Sequence, residues 1–184
     1  LIIAIDLIDG INLTASIFLL SKLVLVYLTF NKLFFEHYII LYIVVPLVLF
    51  LFFNAKGKVY LGTGGTCILS FFISLLIIDI SKNYESSFSA SHILAILLIP
   101  GLDMIRVFLI RFFKNGKIFA PDKRHLHHLM EKKLGANKTI LILSFIFILT
   151  DLVVISFYSY IYYIILSQLI IFIIILKICR QINK

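Results

Sequence analysis

Thr139-Ile-Leu-Ile-Leu-Ser-Phe-Ile-Phe-Ile-Leu-Thr-Asp-Leu-Val-Val-Ile-Ser-Phe157 is 19 residues long, carries one charge, and contains neither glycine nor proline. Strands of a membrane barrel alternate polar and apolar side chains, and this run does not. A helix needs about 20 mostly apolar residues to cross a bilayer, and in lipid the backbone must satisfy itself. The run therefore reads as a spanning helix. Five more read the same way: Leu13–Phe30, His37–Phe53, Leu61–Ile80, His92–Phe112 and Ile161–Leu176.

Composition agrees with that reading. The 184-residue chain is 62% hydrophobic with a mean hydropathy of +1.12, against about 45–50% apolar residues in soluble domains. The expected fold class is all-α: a polytopic integral membrane protein of about six transmembrane helices, forming a single membrane domain over 1–184. Cys67 and Cys179 are far apart in apolar sequence and read as free thiols, since two such cysteines build neither a disulfide framework nor a zinc site. The chain starts at Leu1 with no basic n-region or cleavage site, so its start does not read as a secretory signal. It reads instead as the C-terminal portion of a larger protein.

Charge gives the orientation. Of the 17 Lys and Arg residues, 13 fall on one side of the six spans and two (Lys32 and Lys82) on the other. Lys and Arg accumulate on the cytoplasmic side of membrane proteins, so segments 1–12, 54–66 and 112–138 and the C-terminus are expected to be cytoplasmic. Much of the net charge of +8 follows from topology alone.

Those three segments hold the polar chemistry. In Asp6-Leu-Ile-Asp-Gly-Ile-Asn12 the polar side chains recur every third residue. Asp6, Asp9 and Asn12 are thus expected on one face of a helix end or tight turn. Carboxylates beside a span suggest a functional site, although Asp9 or Asn12 would also serve as a plain N-cap for the next helix. Gly10 lets the backbone bend or a ligand approach closely. Asn54 to Thr66 carries four glycines and two lysines. A glycine-rich turn opening a helix offers N–H groups to an anion, but this one lacks the Gly-Lys-Ser/Thr ending of a P-loop, and an ordinary short loop explains it as well.

The third segment, Phe119 to Lys133, is a basic island containing His125, His127 and His128. Pro121 and Asp122 suit the first turn of a helix and its cap, and Gly135 suits a left-handed end. Leu126, Leu129, Met130 and Leu134 form an apolar stripe, with Arg124, His125, His128 and Glu131 on another face. The His-x-His-His spacing lacks the further ligands of a four-coordinate zinc site. Imidazoles that donate to phosphate oxygens are the better fit. Within the bilayer, Asp103 and Arg106 are spaced to form an i,i+3 ion pair near the cytoplasmic half, while Lys22 and Asp151 are candidates to pair across helices.

Taken in order, Asp6–Asn12, Lys58–Thr66, and Pro100–Asp103 followed by Pro121–His128 resemble the polyprenyl-phosphate N-acetylhexosamine-1-phosphate transferases. That family includes phospho-N-acetylmuramoyl-pentapeptide transferase and undecaprenyl-phosphate N-acetylglucosamine-1-phosphate transferase, and His-x-His-His looks more like the second branch. The resemblance implies a phosphoglycosyltransferase of the bacterial inner membrane, serving cell-wall or surface-polysaccharide synthesis. It would move an N-acetylhexosamine-1-phosphate from a UDP-sugar to undecaprenyl phosphate, release UMP and use Mg²⁺. The partners implied are UDP-N-acetylhexosamine, undecaprenyl phosphate and the lipid bilayer, with no nucleic acid; a homodimer is left open.

Carried over residue by residue, Asp9 and Asn12 would meet the nucleotide-sugar, and Asp6 stands where asparagine is usual. Tyr60 would stack on uracil. Arg124, His125, His127 and His128 would hold the diphosphate. The catalytic acidic pair is expected upstream of Leu1. Three departures matter: Thr63 replaces the family's magnesium-binding aspartate, leaving Asp9 as the candidate ligand; Leu13 replaces a glycine; and the ligand set for Mg²⁺ is incomplete. The alternative is a degenerate, non-catalytic module of the same family that only binds nucleotide-sugar or lipid phosphate.

Overall fold

The computed structural model describes residues 2–6, 8–29, 34–83, 89–113 and 123–180, and within these every regular element is helical. A five-residue helix, α1 (Ile2–Asp6), leads through a turn into α2 (Thr14–Thr29); α3 (Phe34–Ala55), α4 (Gly62–Asn83) and α5 (Ala90–Phe113) follow. A short α6 (Leu126–Leu134) precedes α7 (Ala136–Ser156), and a 3₁₀ turn at Tyr158–Tyr160 joins it to α8 (Ile161–Arg180). Each of the six apolar runs is thus a helix. Four windows, Gly62–Asp79, Ala90–Phe113, Ala136–Ser156 and Ile161–Cys179, are long and apolar enough to cross a membrane, while α2 and α3 carry shorter apolar runs, Thr14–Leu28 and Ile40–Ala55. The chain is an all-α, multi-pass membrane protein.

Helix α2 is the hub, packed on α3, α4 and α7. Its Phe18, Leu19 and Leu23 are completely buried, and Phe18 meets Phe147 of α7 edge-on at 5.0 Å between ring centres. Central placement explains how a membrane helix tolerates a lysine. Lys22, 1% exposed, pairs with Asp151 of α7 and lies 4.6 Å over the Phe18 ring. The two intramembrane charges expected to meet do so. The outer helices do the opposite and expose large apolar side chains such as Phe52, Phe71, Leu141 and Tyr162, as a surface solvated by lipid tails requires.

Helix α6 turns back against the bundle on α7 and α8. Its expected stripe holds: Leu126 and Met130 are buried, with Leu129 and Leu134 packed on the core. Its expected ends do not. Residues 123–125 form a turn and the helix begins at Leu126, so it does not reach back to Pro121; Pro121 and Asp122 lie outside the described residues. Gly135 does end the helix at positive φ, but its φ of 80° and ψ of 163° put it in an extended region open essentially to glycine alone, not in the left-handed helical one.

Candidate functional site

One end of the bundle collects the start of α2, the start of α4, the docked α6 and the turn after α1. Two seams build it. The first joins the α1–α2 turn to the start of α4. Asp6 closes α1 and accepts the Thr66 hydroxyl at 3.0 Å; Asp9 accepts the backbone N–H of Gly62, the first residue of α4, at 3.0 Å. The expectation that Asp6, Asp9 and Asn12 share a face is met only by the first two, which both turn to α4. Asn12 instead lies toward Gly57, where an added Cβ would be 3.6 Å from its Nδ2.

The N-terminus of α4 thus already carries an anion, because Asp9 supplies it. A carboxylate there is favoured by the unsatisfied N–H groups and the helix dipole. Burial holds the Asp9 carboxyl above the usual carboxylate range; the Gly62 N–H opposes that, and neighbouring Asp6 adds to it.

Neither proposed cap for α2 operates as such, since the Asp9 carboxylate is spent on α4. The entry to α2 is secured differently. Thr14 donates its hydroxyl to the carbonyls of Ile8 (2.9 Å) and Ile11 (2.6 Å), alternatives for one proton. Leu13 sits at φ +75°, alone among the described non-glycine residues in having positive φ. The side chain of Asn54, from the end of α3, accepts the Leu13 N–H at 2.7 Å and donates to the Val59 carbonyl at 2.7 Å. Asn54 is 3% exposed. It ties the α3–α4 loop to the start of α2. Sequence reading passed over it, although a lone asparagine closing an apolar run beside two lysines was the available signal.

The second seam joins α5 to α6. Asp103, ten residues before the end of α5, accepts from Arg106 Nη2 at 2.7 Å and Nε at 3.2 Å, and from the Leu126 N–H at 3.0 and 3.1 Å. Its Oδ2 lies 3.0 Å from His125 Nδ1. Arg106 also donates to the Arg124 carbonyl at 2.5 Å. The anticipated Asp103–Arg106 pair is present, and its purpose is to cap α6. Ten residues of helix measure about 15 Å, so the histidines lie beside the last turns of α5, not beyond them. At its other end Lys133 donates to the Ile178 carbonyl of α8 at 2.9 Å.

The two seams meet at Gly10. A Cβ there would fall 2.3 Å from His127 Nε2 and 2.9 Å from Cε1 and Nε2 of His128. The close approach that glycine permits is therefore made by the protein's own imidazoles. The His127 ring is tilted against His128 at 4.1 Å and stacked parallel to His125 at 5.9 Å between ring centres, and His128 Nδ1 lies 3.4 Å from Glu131 Oε2. His125 and His127 are each 3% exposed, and the Nε2 of each is buried without a hydrogen-bond partner among the described residues. Burial, then the neighbouring His128, push the His127 imidazole down to about 3, so it is neutral at physiological pH. Tyr60 is 71% exposed, two residues from the Gly62 amide that Asp9 binds. Arg124 and Thr63 are also exposed.

Magnesium asks for several hard oxygens around one point. Asp9 and Asp6 face different partners on α4, Thr63 offers only a hydroxyl, and among the described residues no group of three His, Cys, Asp or Glu side chains is placed to hold a metal ion. The described residues do not fit Mg²⁺.

The chain is similar to curated proteins named undecaprenyl-phosphate alpha-N-acetylglucosaminyl 1-phosphate transferase. Against that of Salmonella typhi it is 31% identical over 75 residues, which are 41% of this chain and 20% of the relative. Against that of Pasteurella multocida it is 30% identical over 94 residues (50% and 26%), and against that of Haemophilus influenzae 28% over 95 (51% and 27%). The matched stretches thus span between a fifth and about a quarter of the relatives' lengths. No family model and no solved structure matches the chain. The partial likenesses support this transferase family without singling out a member.

Proposed function

We propose that this chain is the part of a bacterial inner-membrane phosphoglycosyltransferase that holds a UDP-N-acetylhexosamine and the phosphate of undecaprenyl phosphate at the cytoplasmic face. In that reaction a phosphate oxygen of the lipid attacks the β-phosphorus of the UDP-sugar. The bond from that phosphorus to the bridging oxygen breaks, and UMP leaves with it. The observation that carries the reading is the meeting of Asp9–Gly10, the glycine-rich start of α4 and the His125–His128 cluster at one end of the bundle. Support comes from the relatives' printed names, which combine a lipid phosphate with a sugar 1-phosphate.

Phosphoryl transfer relies on positioning and on charge stabilisation. This chain's residues would contribute exposed Arg124 and the imidazole cluster toward phosphate oxygens, and exposed Tyr60 as a face for the base.

A second reading has its own observation. Asp6 and Asp9 are both engaged by α4, and Thr63 stands in place of a carboxylate, which favours a module that binds without turnover. One experiment separates the two. The protein that carries this chain, with any sequence encoded upstream of Leu1, is placed in lipid nanodiscs with UDP-N-acetylglucosamine, undecaprenyl phosphate and Mg²⁺, and both nucleotide binding and UMP release are measured. Binding with release supports the transferase, binding without release supports the module, and no binding defeats both.

A further inference from the structure

We propose that Asp103 is a positioning residue: it docks the start of α6 and fixes the ring of His125 so that Nε2 is the nitrogen left for a phosphate oxygen. The ligand chemistry rests on the function proposed above; the ring geometry does not. Three observations carry it. Both carboxylate oxygens are committed, to His125 Nδ1, the Leu126 N–H and Arg106. The carboxylate and the imidazole are both buried. His125 Nε2 is buried and has no partner among the described residues.

A carboxylate on one imidazole nitrogen holds the N–H there, orients the ring and supports the imidazolium when an anion approaches the other nitrogen. The charged and titratable groups in contact with this unit are Arg106 on α5, and His127 followed by His128 and Glu131 on α6. His127, with no carboxylate bonded to it and pushed down to about 3, stays neutral. Two histidines separated by one residue therefore differ in setting, one bonded to a buried carboxylate and the other held neutral by burial. Arg106 holds the carboxylate in place and, through the Arg124 carbonyl, holds the turn before α6.

The test uses the full chain in detergent micelles with ¹⁵N-labelled histidine, each of the five ring systems assigned by its own substitution. In the wild-type protein His125 should carry a proton on Nδ1, the nitrogen facing Asp103. A His125 protonated on Nε2 with a bare Nδ1 overturns the proposal without any variant. Asp103→Asn keeps the size and one acceptor but removes the charge. Its His125 should show both ring tautomers where the wild type shows one. UDP affinity should fall about tenfold, the scale of one charge-assisted hydrogen bond. An unchanged tautomer or an unchanged affinity in a folded Asp103→Asn protein overturns the proposal. If wild-type protein binds no UDP, the proposed function fails, and the ¹⁵N tautomer signature still decides whether Asp103 sets the ring.

Discussion

The two seams that build the polar end differ in kind. Between α5 and α6, one buried carboxylate gathers an arginine, an imidazole and a helix amide. Between the α1–α2 turn and α4, single hydrogen bonds accepted by Asp6 and Asp9 bridge a more open surface, and the backbone beside them is held at an unfavourable φ at Leu13. The departures from the resembled family, Asp6, Leu13 and Thr63, all lie at the seam of the α1–α2 turn with α4, whereas the His-x-His-His pattern at the α5–α6 seam is intact. A carboxylate with several buried partners resists substitution at any of them. A seam of isolated surface bonds tolerates change one residue at a time.

The sharpest way to break this contrast is at the point where the seams touch. Gly10→Ala places a methyl carbon into the His127 and His128 rings, and overpacking of this kind costs about 1–3 kcal/mol. A lowered thermal midpoint, with helicity retained by circular dichroism, is expected. A midpoint equal to the wild type would mean the seams are not in contact. Next comes Asn54→Ala, which strips the Leu13 N–H and the Val59 carbonyl of their partner at a buried position. The expected loss is about 2 kcal/mol in denaturant unfolding, the cost of buried groups left unsatisfied.

Leu13→Gly should go the other way. Left-handed backbone costs a side-chain-bearing residue about 1–2 kcal/mol, so glycine at φ +75° is expected to raise stability by about 1 kcal/mol. Destabilisation there would show that the leucine side chain matters more than the strain. The smallest effect belongs to Asp9→Asn. Burial holds the Asp9 carboxyl above its ordinary value of 3.8, so its ionisation opposes folding: stability is fully present below that value and is lost as pH rises through the folded one. Asparagine, which still accepts the Gly62 N–H, should be slightly the more stable at pH 7, with the advantage gone once the wild-type carboxyl is protonated. A constant difference across pH would contradict the raised value.

The membrane helices were legible because a continuous apolar run has one solution in lipid. The Asp103–Arg106 and Lys22–Asp151 pairs were also legible, since a charge inside a span must find a partner. The polar end was only half legible. Which segments gather there followed from charge bias and glycine placement. Which atoms meet did not, because capping across the bundle has no local signature. Among the described residues the carboxylate that accepts the first α6 amide is Asp103, more than 20 residues away. Positive φ at a leucine runs against every local preference, and nothing in a single sequence marks it except the family's glycine at that place.

The buried Lys22–Asp151 pair bears on how the protein is made. The two partners are 129 residues apart, so during synthesis the nascent α2 is handed to the translocon long before its counter-ion emerges from the ribosome. A lysine near the middle of a helix opposes insertion by about 2.5–3.5 kcal/mol, a heavy burden for a 16-residue segment. Integration of α2 should therefore be provisional until α7 arrives. Glycosylation-site mapping of ribosome-arrested chains would test it: release of α2 from the bilayer before residue 151 is made, and its retention afterwards, is the expected order of events.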